Sequence, residues 1–319
     1  MKDTVVVTGG GTGGHLKVAD AFIEEFHNRG MSVIFIGSSN GQDKAWFEHD
    51  LRLKKAVFLD TRGVVNKNFF GKILSLLNIF SKTLQCLGLY SQYNINTVIS
   101  VGGFSAAAAT FASILKFGCK LYIHEQNSKM GKLNEITSKF ATEVFSSFDE
   151  NSLVKDYPVS KEFFNTARVR DKIRTVAFFG GSQGAICIND FERVNAEYKK
   201  LNINADVFDF SRDIPNKMSS ADFAVSRAGA STLWELCANS LPTFFIPYKY
   251  AAGDHQYYNA KALFDKGLCF LKREEELNEE DFFKAINSDI HKISIELISS
   301  ISPNAISLIT NIILENNKK

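Results

Sequence analysis

The sequence predicts an α/β protein built from two doubly wound parallel sheets, and three observations carry that expectation. Short, uniformly apolar, β-branched runs alternate with helix-length segments along the whole chain, as they do when helices cover both faces of a sheet. The order strand, glycine turn, helix that opens at Thr4–Thr8 begins again at Thr175–Phe179. A length of 319 residues accommodates two such cores at about 150 residues per domain.

In the first half, strands are expected at Thr4–Thr8, Ser32–Ile36, Ala56–Leu59, Thr97–Val101, Lys120–His124 and Glu143–Ser146. Helices are expected near Leu16–Asn28, over Phe69–Tyr93, at Ala106–Leu115 and near Lys132–Phe140. In the second half the strands are Thr175–Phe179, Ala205–Phe210, Asp222–Ser226, Pro242–Pro247 and Leu268–Leu271, with the clearest helices at Ser231–Asn239, His255–Lys266 and Glu279–Asn287. Domains of 1–157 and 158–319 follow, with a last helical stretch, Ile293–Leu314, packing back on the first. Ligands are expected at the carboxyl ends of the strands, in a cleft between the domains.

Composition excludes several classes. Charge is nearly balanced, 37 basic against 35 acidic residues, so bulk positive potential for nucleic acid is lacking and no nucleic-acid partner is expected. The five cysteines are widely spaced without a C-x-x-C pair, which points to buried thiols in a reducing compartment and to no metal site. Met1-Lys2-Asp3 leads directly into a Val-rich strand, without the apolar core of a signal peptide. Thr83–Leu115 carries no charge, yet its amides and the Gly102-Gly103 pair read as helix end, strand, turn and helix rather than as a membrane span.

Chemistry concentrates in the turns. Gly9, Gly11 and Gly14 fit G-x-G-x-x-G, where a close backbone approach and a helix N-terminus favour phosphate. The second strand ends Gly37-Ser38 with no acidic residue to hold a ribose, which argues against a dinucleotide, and no Gly-Lys-Ser/Thr follows for a Walker loop. His15, where the turn becomes a helix, is either a general base or a helix-start residue that contacts phosphate or caps backbone. Two more glycine turns, Gly102-Gly103 and Gly180-Gly181-Ser182-Gln183-Gly184, point to two phosphorylated ligands. His124-Glu125-Gln126-Asn127 reads as a sugar-recognition cluster or as a loop satisfying helix caps. Arg227-Ala228-Gly229-Ala230-Ser231 leads into a helix whose Glu235 is placed to take both hydroxyls of a ribose, and Asp254–Asn259 is a further polar cluster.

These motifs, in this order over about residues 4 to 270, resemble the MurG family of N-acetylglucosaminyltransferases. The resemblance implies a GT-B fold of two Rossmann-like domains and inverting transfer of N-acetylglucosamine from UDP-N-acetylglucosamine to the 4-hydroxyl of the muramoyl sugar of lipid I. It implies no metal and no cofactor, with helix N-termini meeting the leaving diphosphate. His15 is then the general base, and Gly13, Gly14, Gly102 and Gly103 hold the lipid diphosphate. The implied donor contacts are Thr12, Gly13, Gly14, Asn127, Ser182, Gln183, Phe210, Ala230, Ser231, Glu235, His255 and Gln256. A lipid acceptor implies a peripheral protein at the cytoplasmic face of the cell inner membrane. In Asn68–Lys82 the residues Phe69, Phe70, Ile73, Leu74, Leu76, Leu77 and Phe80 form one broad helical stripe, with Lys72, Ser75, Asn78 and Lys82 opposite. On pattern alone that stripe is a buried core face or a membrane face; the resemblance favours the membrane.

The chain departs from the family pattern at three places: Ser160 stands where an arginine is usual, Ala106-Ala107-Ala108 stands in place of a glycine-proline pair, and the stretch from Ala185 to Asp206 is short. One strand-helix unit of the donor domain is therefore expected to be missing. A UDP-sugar transferase acting on another lipid such as diacylglycerol, and a UDP-sugar-binding protein without turnover, are the alternatives.

Overall fold

The structure, a computed structural model, describes residues 4–61, 63, 68–180, 191–207, 211 and 213–318. The chain divides into Met1–Val159 with Ser302–Lys319, and Ser160–Ile301.

In the first unit six parallel strands, β1 (Thr4–Thr8), β2 (Ser32–Ser38), β3 (Leu53–Leu59), β4 (Thr97–Ser100), β5 (Lys120–Glu125) and β6 (Glu143–Ser146), stand in the order β3-β2-β1-β4-β5-β6. The order reverses between β1 and β4, so the turns leaving those two strands open side by side. Val5, Val6 and Val7 are all buried, as a strand covered on both faces requires. The helices are α1 (Gly13–Asn28), α2 (Asp43–Phe47), α3 (Phe69–Gln92), α4 (Ala107–Leu115) and α5 (Lys132–Thr137). Ala108, Ala109 and Ala112 of α4 pack with Cys86 and Tyr90 of α3 over Val6, Val98 and Leu121. The small side chains bring the helices close enough for Tyr90 Oη to donate to Ala109 O at 2.8 Å.

The first half of α3 is inverted. Among its described residues the buried side chain is Ser75, followed two turns on by Thr83, and both satisfy their hydroxyls one turn back, on Gly71 O and Ile79 O, whereas Phe70, Ile73, Leu74, Leu76, Leu77 and Phe80 are exposed. Ser75, expected opposite the stripe, is buried there, whereas Lys72, also expected opposite, is exposed along with the apolar side chains. Phe70–Gln92 is long and apolar enough to cross a membrane by length and composition, but its C-terminal turns are anchored in the core through Cys86 and Tyr90.

In the second unit the described strands are β7 (Val176–Phe179), β8 (Phe223–Ser226), β9 (Thr243–Phe245) and β10 (Phe270–Leu271), all parallel in the order β10-β9-β8-β7. Helices α6 (Lys161–Asn165), α7 (Phe191–Lys200), α8 (Ile214–Ser220), α9 (Ala230–Ala238), α10 (His255–Phe264), α11 (Glu279–Ile286) and α12 (Ile290–Ser299) accompany them. Phe223 and Phe244 form the core with Ala285 and Ile290, and Phe244 stacks on Phe270 at 6.3 Å. Arg170 is fully buried with its guanidinium on Met218 O, Ala221 O, Asn239 O and Asn239 Oδ1, at the C-terminal ends of α8 and α9. The negative ends of two helices thus stand in for a counter-ion, while burial pushes its pKa down to about 9.

The expected strand Ala205–Phe210 is not formed over 205–207, where Asp206 instead pairs with Lys217 of α8; its residues 208–210 lie outside those described. Among the described residues no strand lies between 191 and 203, where α7 is followed by a left-handed Asn202. The single helix expected over Ile293–Leu314 is two, α12 and α13 (Ala305–Asn317), because Pro303 cannot continue α12. Of the two, α13 packs in the first unit, where Arg29 of α1 reaches Ser307 O, Ser307 Oγ and Asn311 Oδ1.

Candidate active site

The glycine turns after β1 and β4 meet each other. Gly10 N donates to Gly102 O at 3.2 Å, and a Cβ on Gly103 (φ +81°) would stand 2.3 Å from Gly10 O. At Gly103 glycine is needed for backbone to pass backbone, and at Gly10 an added Cβ would meet the Asp43 carboxylate, reasons that the motif alone did not supply. Beneath them lies Asp43 of α2, fully buried, accepting from Gly11 N at 2.5 Å and Ser38 N at 2.8 Å. Its carboxylate locks the turn after β1 to the end of β2. Sequence reading passed it over by looking for an acid at the strand tip rather than five residues beyond.

Thr12, Gly13, Gly14 and His15 begin α1 at this edge. Thr12 makes no side-chain cap bond; its Oγ1 lies 2.9 Å from His15 Nδ1. With a proton on Nδ1 that bond runs from His15 to Thr12, and Nε2 becomes the basic nitrogen. Nε2 lies 3.6 Å from the point a Gly102 Cβ would occupy, so the basic atom faces the β4 turn.

Of the four polar residues ending β5, three are buried and turned to the fold. Glu125 accepts from Asn127 N at 2.9 Å, Gly131 N at 3.0 Å and Asn134 Nδ2 at 2.8 Å. Gln126 bonds Val101 O and the Tyr157 hydroxyl. His124 is enclosed by the rings of Phe22 and Tyr157, its Nδ1 without a partner, and burial pushes its pKa down to about 3, with the charge of nearby His15 a smaller contributor. Asn127 alone is part-exposed, held in place by Glu125. Asn134, which no motif singled out, lies between Glu125 and the Gly102 turn.

In the second unit the turns after β8 and β9 are laced together. Gln256 Oε1 accepts from Ala228 N at 3.2 Å and Tyr248 N at 3.0 Å, and Asn259 Nδ2 donates to Ala228 O. Arg227 donates to Ile246 O and Pro247 O. This fixes the entry to α9, where Gly229 as N-cap contributes no side chain and Ala230 and Ser231 form the first turn, with Glu235 buried one turn on. His255 begins α10 with Nδ1 donating to Ala252 O at 2.7 Å, which leaves Nε2 as the ring's other polar atom. Gln256, expected on sugar hydroxyls, thus has its carbonyl oxygen committed to backbone. Ser182, Gln183 and Phe210 lie outside the described residues. Ser160 caps α6 through Glu162 N. Among the described residues no three His, Cys, Asp or Glu side chains are grouped to hold a metal ion.

Residues 5–146 match the glycosyltransferase family 28 N-terminal domain and residues 188–297 the glycosyltransferase family 28 C-terminal domain. The crystal structure of MurG from Acinetobacter baumannii superposes with a TM-score of 0.81 at 22% identity, covering 99% of this chain and 100% of that one. The glycosyltransferase VinC in complex with dTDP gives 0.62 at 12% identity, covering 99% of each chain. Fold and domains therefore define a family 28 glycosyltransferase with two Rossmann-like units. The UDP-N-acetylglucosamine--N-acetylmuramyl-(pentapeptide) pyrophosphoryl-undecaprenol N-acetylglucosamine transferase of Campylobacter jejuni subsp. jejuni serotype O:6 is 46% identical over 93% of this chain and 92% of its own. Its counterpart in Wolinella succinogenes is 43% identical over 97% and 99%. Within the glycosyltransferases, the chain belongs to the MurG family.

Proposed function

We propose that this protein transfers N-acetylglucosamine from UDP-N-acetylglucosamine to the 4-hydroxyl of the muramoyl sugar of lipid I, giving lipid II in peptidoglycan synthesis. What carries the reading is the identity, 46% over nearly the whole chain, to a transferase whose name states this donor and acceptor. The acceptor oxygen attacks C1 of the donor sugar from the face opposite UDP, so the O4–C1 bond forms as the C1–O bond to UDP breaks and the anomeric centre inverts. His15 Nε2 takes the hydroxyl proton, a role supported by the Thr12 contact that orients the ring. The first unit receives the acceptor, its diphosphate at the Gly13-Gly14 and Gly102-Gly103 turns, and Thr12, Asn127, Gly13 and Gly14 reach the donor.

The second unit holds the donor. The first amides of α9 at Ala230 and Ser231 meet the diphosphate as it leaves, Glu235 takes the ribose hydroxyls, and His255 and the Gln256 amide meet the sugar. Ser182, Gln183 and Phe210 complete the donor contacts by the same resemblance. The exposed apolar stripe of α3 rests on the cytoplasmic face of the inner membrane, where the lipid tail of the acceptor lies, which makes the protein peripheral.

Transfer of labelled N-acetylglucosamine to a lipid I analogue and to diacylglycerol, measured side by side, tests the reading: lipid I is expected to be the acceptor, and preference for diacylglycerol would overturn it. His15→Ala is expected to abolish transfer, by about 10²-fold or more, while UDP binding persists. Loss of both, or of neither, removes His15 from the role of base.

A further inference from the structure

The two loops that lead to the described site residues of the second unit are both fastened from one place, the residues just past β10. Arg273 donates to Asp254 through Nη2 at 2.6 Å and through Nη1 at 3.3 Å, and its guanidinium lies 3.7 Å over the centre of the Tyr257 ring. Glu274, its neighbour, accepts from Arg227 Nη1 at 3.1 Å. One residue thus reaches the loop after β9, and the next reaches the loop after β8.

The loop after β9 has a conformation that needs holding. Gly253 (φ +63°) and Asp254 (φ +60°) are consecutive left-handed residues, a conformation costly for an L side chain. Asp254 is the N-cap of α10 yet makes no side-chain cap bond, because its carboxylate is turned to Arg273. The next residue is His255. An ion pair whose side chains are 28% and 32% exposed adds little to global stability, so what it supplies here is local geometry.

We propose that Arg273 and Glu274 are positioning residues for the donor substrate. Arg273, through Asp254, sets the turn that aims His255 at the sugar; Glu274, through Arg227, sets the entry to α9 that meets the diphosphate. The inference rests on the donor reading given above for His255 and for α9. Neither residue touches the substrate, so each acts on affinity through the loop it holds.

The experiment measures KM for UDP-N-acetylglucosamine and kcat with a lipid I analogue, and affinities for UDP and UDP-N-acetylglucosamine by calorimetry, in the full-length protein. Arg273→Ala and Asp254→Gly are each expected to raise KM about three- to tenfold with kcat and UDP affinity little changed, and the double variant to be no worse than either single one. Asp254→Gly is informative because glycine accepts the left-handed turn, so a loss there belongs to the ion pair. Glu274→Ala is expected to weaken UDP and UDP-N-acetylglucosamine alike. Unchanged KM in Arg273→Ala, additive losses in the double variant, or loss of UDP affinity equal to that of the sugar nucleotide would overturn the inference. His255→Ala separates the two levels. If it leaves the preference for UDP-N-acetylglucosamine over UDP intact, the donor reading of His255 falls and the inference with it. If it lowers that preference and Arg273→Ala does not, only the positioning inference falls.

Discussion

At the scale of single residues, the motifs of the first unit divide between groups turned outward and groups that hold them. Glu125 shows the division: its oxygens are occupied by Asn127 N, Gly131 N and Asn134 Nδ2, so it places Asn127 rather than meeting a sugar itself. His124 gives this arrangement a pH dependence. Its ring is buried between Phe22 and Tyr157, so its folded pKa is about 3 against an ordinary 6.5. Between those values the unfolded chain binds a proton that the folded chain does not, so stability is complete above about pH 6.5 and is lost as pH falls toward 3. The slope in that window is up to about 1.4 kcal/mol per pH unit. Tm measured from pH 7 to pH 4 is expected to fall less steeply in His124→Phe than in the unaltered protein. Equal slopes would mean that the ring titrates normally in the fold.

At the scale of elements, α3 is two helices in one. Its C-terminal turns obey the usual rule, burying Cys86 and Tyr90 against the alanines of α4. Its N-terminal turns reverse it, with Phe70 75% and Leu74 67% exposed over an inner face of Ser75 and Thr83. Period alone identified the helix and its stripe but not which way the stripe points, since a core face and a membrane face have the same spacing. Orientation follows from tertiary context: among the described residues the buried side chains there are the small hydroxyls of Ser75 and Thr83, bonded to their own helix. The double substitution Leu74→Glu/Leu77→Glu is expected to lower co-sedimentation with anionic vesicles by about tenfold or more, two exposed leucines each contributing roughly 1–2 kcal/mol to membrane burial. Tm should change by little, because neither side chain is in the core. Unchanged vesicle binding would remove α3 from the membrane contact.

At the scale of the whole molecule, the repeated strand, turn and helix order made two parallel-sheet units legible, because strands buried on both faces write themselves as uninterrupted apolar runs. Where a strand is not so buried the reading slipped: β3 begins three residues before Ala56, since at the sheet edge it carries exposed Lys54 and Lys55, which lie 5.2 and 5.5 Å from the Tyr93 ring. The site was legible at its turns and not in its supports. Asp43, Asn134, Arg273 and Glu274 act across 9 to 47 residues of sequence, a separation that no local spacing encodes. The same holds for the end of the chain, where apolar period foretold a helix but Pro303 decides that α13, and not α12, belongs to the first unit. There Ile309 and Ile313 are fully buried, Arg29 grips Ser307 and Asn311, and Asn317 donates to Thr97. Removing residues 302–319 exposes the faces those isoleucines cover, at about 1.5–3 kcal/mol for each, while the core of Phe223, Phe244 and Ile290 is untouched. Hydrogen exchange on the truncated protein is therefore expected to speed up in β1, α1 and β4, with β8 and β9 keeping their protection. Loss of protection concentrated in β8 and β9, or shared evenly between the two sheets, would mean that α13 stabilises something other than the unit it packs in.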